Sequence, residues 1–311
     1  MTPAPRVPGP QGPLPVQGSI THHHLCSILN SLITDPRESV RVLDVGCGDG
    51  RLLALIYWVL KRYRPALDVQ LYGFDVCDSK VQADGFIERS MTYLSANAPD
   101  VDWRERIRFI ASADRWPYES GTFDFVVSNQ VLEHVSDHRF LFEEVQRVLK
   151  DGGVSVHLFP LKQYLHEGHT RMPFIHWIRD YDRIRAYVKL GTALGLGNYR
   201  EHHGHDPSLT VDQFAERQAD YMVHFTSYLT RGQVLDLAKR AGLRCSFRYT
   251  EHFYFNKLRT MIGRPPEYFV QPVRPGILHF LLMLVLPFVS SVTVFLEKKQ
   301  TYWEWSPHGT H

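Results

Sequence analysis

Asp44, Gly46, Gly48 and Gly50 fall at alternate positions of one short run, Val42-Leu43-Asp44-Val45-Gly46-Cys47-Gly48-Asp49-Gly50-Arg51-Leu52-Leu53. Glycines at that spacing let the backbone take positive φ and approach a ligand where side chains would collide. The apolar periodicity from Leu52 to Leu60 predicts a helix behind the turn, and its unpaired N–H groups suit a carboxylate or a phosphate. A second acid, Asp75, ends the next β-favouring run about thirty residues on, where a carboxylate can accept both ribose hydroxyls of a nucleoside held at the first turn. Binding a nucleoside-bearing cofactor is the chemistry these residues suggest. Dinucleotide folds use the same turn, so the turn alone does not choose the cofactor.

A second concentration of reactive side chains lies further along. Seven of the seventeen histidines (His166, His169, His176, His202, His203, His205 and His224) fall between Pro160 and Tyr228, among aromatic, glycine and proline residues. Inserted after a strand's carboxyl end, such a segment reads as a substrate lid; the plainer reading is a surface helical layer whose histidines only solvate it. His22-His23-His24 looks metal-binding, but three adjacent side chains splay apart on a helix, and a polar start to a helix over 21–34 is the expectation.

The elements that must position these groups follow from periodicity and breakers. Strands are expected at 40–45, 69–75, 107–111, 123–128 and 154–159, with helices at 51–63, 79–96 and 140–149. The pair Gly152-Gly153 is expected just behind the last of these helices. Strand-then-helix units in this order imply a doubly wound parallel sheet. A helix at 231–241, stopped by Gly242, and a strand at 243–253 follow the insertion. The stretch 276–296 has no Asp, Glu, Lys or Arg and meets the length of a membrane span. Pro287 and Ser290-Ser291 divide it, so a buried helix and a closing strand at 292–296, paired with 243–253, are expected instead. Its first half, from Ile277 to Leu286, is apolar nearly all round and leaves a peripheral membrane contact open. The proline-bearing stretch 264–275 is a loop leading to it. The organisation expected is a disordered Pro/Gly-rich leader (1–18), a core (19–159), an insertion (160–228), a second part of the core (229–299) and a tail (300–311).

Composition bounds the partners. The 311 residues are 44% hydrophobic and 22% charged, enough apolar material for a real core. A formal net charge of +2 gives no reason to expect a nucleic-acid partner. Cys26, Cys47, Cys77 and Cys245 are scattered, suggesting neither a disulfide frame nor a zinc knuckle, and a reducing cytoplasm fits. The first residues lack the pattern of a signal peptide. Oligomeric state is not legible.

The whole series resembles a known family. Asp44-x-Gly46-x-Gly48-x-Gly50, then Asp75, then Ala113-Asp114, then Phe123-Asp124-Phe125-Val126-Val127-Ser128-Asn129-Gln130-Val131-Leu132-Glu133-His134-Val135, then Leu149-Lys150-Asp151-Gly152-Gly153 is similar to class I methyltransferases that use S-adenosylmethionine, closest to the small-molecule group called type 11. The resemblance covers about residues 40–160 and resumes at 228–298. It implies an α/β, Rossmann-like, doubly wound, seven-stranded and mostly parallel sheet with an antiparallel last strand, carrying a helical or irregular insertion after the fifth strand. It implies S-adenosyl-L-methionine as cofactor and S-adenosyl-L-homocysteine as product. It also implies Asp44 facing the methionine ammonium, Gly46 and Gly48 against the cofactor, and Asp75 on the ribose with Val76 packed on adenine. Asp114 would accept from the adenine amino group with Ala113 alongside, and Asn129 would sit by the methionine end. Asp44 and Asp114 could each simply cap a turn.

Methyl transfer to a hydroxyl needs the acceptor aligned with the methyl group and its proton removed, a task suited to histidine. His134, His166, His169 and His176 are the candidates; for His134 the alternative is fixing the start of the next helix. Ubiquinone-pathway O-methyltransferases carry Glu-x-x-Glu-His where this chain has Gln130-Val131-Leu132-Glu133-His134, a resemblance that implies a divalent ion there. Gln130 removes one hard oxygen ligand, and no metal is expected. The insertion and tail look like those of methyltransferases of bacterial surface glycans and lipid-linked sugars, so a small-molecule or glycan acceptor is expected. A secondary-metabolite O- or N-methyltransferase, or a catalytically silent partner subunit, are the alternatives.

Overall fold

An interior strand of the sheet, β1 (Ser39–Val45), buries side chains on both faces. Alternate residues of a strand point to opposite sides. Val40 and Val42 join a cluster with Leu53 and Ile56 of α2 (Arg51–Tyr63), while Leu43 and Val45 join another with Leu141 and Val145 of α5 (His138–Val148). The computed structural model describes residues 13–33, 39–78, 85–271 and 276–300.

Parallel to β1 run β2 (Asp68–Val76) and β4 (Phe123–Asn129), with β3 (Ile107–Ile110) outside β2 and β5 (Leu149–Phe159) outside β4. The chain then pairs β6 (His166–Glu167) with β7 (Met172–Pro173) in a small hairpin. It returns to the main sheet through β8 (Leu243–Ser246) and β9 (Val292–Lys298). The strand order is β3-β2-β1-β4-β5-β9-β8, and β9 is antiparallel to both neighbours. The expected seven-stranded, mostly parallel α/β sheet is therefore present. Helices α1 (Ile20–Leu32), α3 (Phe86–Asn97) and α4 (Trp103–Arg106) complete one flank, and α9 (Arg231–Arg240) lies with α5 on the other. The insertion builds α6 (Tyr181–Ala193), α7 (Tyr199–His205) and α8 (Val211–His224) around its own apolar cluster of Met172, Ile184, Val188, Phe214 and Met222. At the start of α8, Thr210 and Gln213 form a reciprocal capping box.

Four expectations need correction. The strand expected over 243–253 stops at Ser246, and Thr250–Met261 is a helix, α10. Tyr249 takes φ 78° and turns the chain, so Thr250, Phe253 and Asn256 enter the core at helical spacing; burial overrides the β-preference of the aromatic run. The pair Gly152-Gly153 does not follow a helix end. Leu149 already pairs with Phe123, and Val154 pairs with Phe125, so residues 150–153 bulge out within β5 with Gly152 at φ +76°. The helix expected to be buried, α11 (Ile277–Val289), buries only Met283 and Pro287. Finally, the leader is not wholly outside the fold, since Val16 is buried and Leu14 packs on the core. Residues 1–12 of the leader, the expected helix start at 79–84 and tail residues 301–311 lie outside the described residues.

Candidate active site

The turn after β1 is stitched to β2 by backbone bonds: the N–H groups of Gly46 and Cys47 both donate to the Phe74 carbonyl, at 2.9 and 3.0 Å. Asp75 locks the next residue. Its Oδ2 accepts from Gly48 N–H at 2.6 Å and its Oδ1 from Val76 N–H at 2.8 Å, so the carboxylate is held at the rim of the turn. The glycines answer to different demands. At Gly46 (φ +69°) a Cβ would come within 2.6 Å of Val131, and at Gly50 (φ +78°) within 2.5 Å of Leu94 on α3. Gly50 is thus required by helix packing, whereas Gly46 lets the turn pass beneath the segment that follows β4.

A cavity of about 800 Å³ opens here. Its floor is Asp44, Gly46, Cys47, Gly48, Asp75 and Val76; its sides are Ser112, Asp114 and Trp116 after β3, and Asn129 at the end of β4 with Gln130, Val131 and His134 beyond it. The insertion closes it with His169, His202, Phe214, Arg217, Gln218 and Tyr221. Asp44 Oδ2 and Asn129 Oδ1 are buried without a partner. Burial, and then the neighbouring Asp75 charge, push the Asp44 carboxyl well above the usual range, a surrounding that favours a cation. Trp116 is fixed from behind: its N–H donates to Glu144 Oε2 at 2.9 Å, and Arg147 clamps that carboxylate while donating to the carbonyls of Trp116 and Tyr118.

Of the residues singled out from sequence, Asp44, Gly46, Gly48, Asp75, Val76, Asp114, Asn129, His134 and His169 come together around this cavity. Ala113 does not line it, and Asp114 also closes its own turn by accepting from Ala111 N–H at 3.0 Å. His166 is exposed on β6. His176 is buried against the Lys162 carbonyl and the Tyr228 ring, away from the cavity. Gln130, at φ 55°, turns its amide onto Leu158 O and Ser291 Oγ. The three adjacent histidines divide: His24 is buried on Thr293, His23 bonds Tyr268, and His22 lines the cavity. None is simply a solvated helix start.

The two histidines on the wall opposite the turn differ in state. His134 Nδ1 lies 2.8 Å from the Phe225 carbonyl, which can only accept, so Nδ1 carries the proton and Nε2 is left basic. Burial lowers its pKa. His169 Nδ1 lies 2.8 Å from Glu167 Oε1, which also accepts from the Tyr228 hydroxyl at 2.8 Å; Oε2 accepts from Thr170 N–H at 2.6 Å. Burial opposes the Glu167 charge, but the bonds from His169 and Thr170 outweigh it and hold the carboxyl at about 2. Burial likewise opposes the charged form of His169, and the Glu167 bond and charge outweigh it, raising its pKa. The rings of His134 and His169 meet edge to face with centroids 5.1 Å apart, and Tyr221 lies 5.4 Å from His169. Glu133 sits wholly buried with neither oxygen paired, and burial pushes it up to about 8. Among the described residues, no group of three or more His, Cys, Asp or Glu is placed to hold a metal.

A family model described as a methyltransferase domain matches residues 18–245. The chain belongs to the methyltransferase-domain family. The sheet of this methyltransferase-family chain is the Rossmann-like one its sequence implied. It is 31% identical over 118 residues to mouse arsenite methyltransferase, covering 37% of this chain and 29% of that protein. It is 27% identical over 119 residues to the ubiquinone biosynthesis O-methyltransferase of Rhizobium etli, covering 38% and 40%. The match thus spans less than half the length of these curated relatives. A solved S-adenosylmethionine-dependent methyltransferase from Mesorhizobium loti aligns with a TM-score of 0.44 and 15% identity, over 87% of this chain and 96% of that one.

Residues of this family member at the site that sequence reasoning did not single out are Glu167 and Arg217; His22 was weighed only as part of a polar helix start. Only Glu167 left a signal, its place two residues before His169 in a polar and aromatic run.

Proposed function

We propose that this protein is an S-adenosylmethionine-dependent methyltransferase that methylates a hydroxyl of a sugar, glycan or lipid-linked acceptor. The observation that carries the reading is one cavity with a glycine turn and fixed carboxylate on one side and a carboxylate-bound histidine on the other. The cofactor side fits the group. The unpartnered Asp44 Oδ2 and Asn129 Oδ1 suit the methionine ammonium, and Asp75, its carboxylate held at the rim of the turn by the Gly48 and Val76 N–H groups, suits the ribose hydroxyls. Val76, with Asp114 from the loop after β3 on the same cavity, is assigned to the adenine.

When bound, the cofactor would supply a sulfonium-activated methyl group for in-line transfer to an acceptor oxygen, the carbon–sulfur bond breaking to leave S-adenosylhomocysteine. His169 Nε2 takes the acceptor proton as the new carbon–oxygen bond forms. Glu167 holds the ring through Nδ1–H and stabilises the imidazolium, and the proton then leaves to solvent. His134 keeps a second basic nitrogen beside it. The insertion, closing the cavity with His202, Phe214, Arg217, Gln218 and Tyr221, acts as the acceptor lid. Its mix of hydrogen-bonding and aromatic groups suits a hydroxylated ring. The test is a panel of glycosides, lipid-linked sugars and phenols with S-adenosylmethionine, reading S-adenosylhomocysteine formed. Turnover on hydroxylated acceptors supports the reading; turnover on amines alone would replace it with N-methylation.

A further inference from the structure

Half the circumference of α11 is apolar and uncovered. Ile277, Phe280, Leu281, Leu284, Val285 and Phe288 are all exposed, Ile277 to 82%, and together sweep roughly half a turn of the helix at ~100° per residue. Met283 and Pro287 anchor the other side. Alongside, α10 leaves Phe255, Leu258 and Met261 exposed, as is Ile262 just past its end. At the far end of α11, Leu165 N–H donates to the Phe288 carbonyl at 2.9 Å, and Phe174 N–H donates to the Leu165 carbonyl at 2.8 Å. The Phe174 ring lies 4.9 Å from that of Trp177, and Leu165, Phe174 and Trp177 are themselves exposed. One uncovered apolar surface therefore runs from α10 over α11 to the β6–β7 hairpin, whose Glu167 holds His169. Monomeric proteins rarely leave such a surface in water without using it.

We propose that this surface docks the protein on an anionic lipid bilayer, with α11 lying in the boundary between headgroups and acyl chains. The convex half-cylinder of flexible side chains has no Asp, Glu, Lys or Arg from Gly276 to Leu296, and its one titratable side chain, His279, bonds to Glu251 of α10, so its exposed face offers few polar groups to orient a protein partner. Acyl chains mould to such a shape. Charge is kept to its approach: by sequence, residues 257–275 carry Lys257, Arg259, Arg264 and Arg274 against Glu267 alone. Arg259 pairs with Glu267 at 2.9 Å and Lys257 donates to Ser290 Oγ, while Arg264 is exposed and complementary to anionic headgroups. Trp177, apolar ring outward and indole N–H bonded to the Lys162 carbonyl, is the kind of side chain that settles at a bilayer interface. The thirteen residues of α11 reach ~20 Å, short of the ~30 Å hydrocarbon core, so the helix lies on the membrane. Among the described residues no helix is long and apolar enough to cross one.

The inference does not depend on which acceptor the cavity takes. The test is sedimentation of the full chain with vesicles of phosphatidylcholine, with and without phosphatidylglycerol. Binding should be at least ~10-fold stronger with the anionic lipid. The double substitution Leu281→Glu/Val285→Glu, at exposed positions, should cut it by ~10-fold or more while thermal unfolding and S-adenosylhomocysteine affinity stay unchanged. Failure of the wild type to sediment with anionic vesicles would overturn the proposal, as would a double variant that binds like the wild type. So would a wild-type dimer that the same substitutions dissociate, which would assign the surface to a second copy. Cofactor affinity, read separately, reports on the proposed activity.

Discussion

His169 Nδ1 and Glu167 Oε1 stand 2.8 Å apart across the turn of the β6–β7 hairpin, with the carboxylate wholly buried and the imidazole at the wall of the cavity. The pair has a defined direction: the carboxylate is also fixed by Tyr228 and Thr170, so the histidine presents Nε2.

If His169 is the base, His169→Gln should lower kcat by about 10²–10⁴ with S-adenosylhomocysteine affinity nearly unchanged. His166→Ala, at an exposed position, should leave turnover unaltered. Steady-state kinetics beside a cofactor titration checks both; unchanged turnover in His169→Gln removes it from the role.

The pH profile follows from the same pair. The base works deprotonated, and Glu167 raises the His169 pKa, so the rate should climb with pH through a limb above the ordinary histidine value of about 6.5. In Glu167→Gln the charge is gone and burial dominates, so the limb should move below that value while kcat falls. A profile unmoved by the substitution would mean that another group titrates.

Gly46→Ala meets two penalties, φ +69° and a Cβ 2.6 Å from Val131. A loss of about 1–3 kcal/mol in urea unfolding is expected. Adding Val131→Ala should recover part of it, the steric share, and leave the backbone share.

Acid should weaken the fold through His24 and His157, both fully buried and held by burial at about 3. Their folded pKa lies below the unfolded 6.5, so stability is intact above 6.5 and is lost as pH falls from there toward 3. Between pH 7 and 5.5 the two should cost roughly 2–3 kcal/mol, measurable by urea unfolding at both values. A flat response would show that these histidines take up protons without unfolding.

The glycine-turn side of the cavity was legible because each of its signals is local. Asp44 to Gly50 lie in one short run at the end of β1 and the turn after it, α2 spans Arg51–Tyr63 as its periodicity indicated, and Asp75 lies next to the end of β2. The other half depends on distant parts of the chain meeting. Tyr228 reaches Glu167 from 61 residues away, and His134 takes its tautomer from Phe225, 91 residues on. Nothing local in His166, His169 or His176 says which one faces the cavity. Burial was misjudged for α11 because apolarity fixes what a helix can bury, while its neighbours fix what it does bury. In α10, core packing of Phe253 overrode a run that reads as β.

The claim on which the rest stands is a cofactor pocket gripped by Asp75. Calorimetric titration of S-adenosylhomocysteine into the wild type and Asp75→Ala tests it most directly. Loss of two bonds to a charged acceptor, at about 1.5–3 kcal/mol each, should weaken binding at least ~100-fold without unfolding the protein. Micromolar binding by the wild type that collapses in the variant is the result the account predicts. No binding by the folded wild type, or equal binding by both, would contradict it.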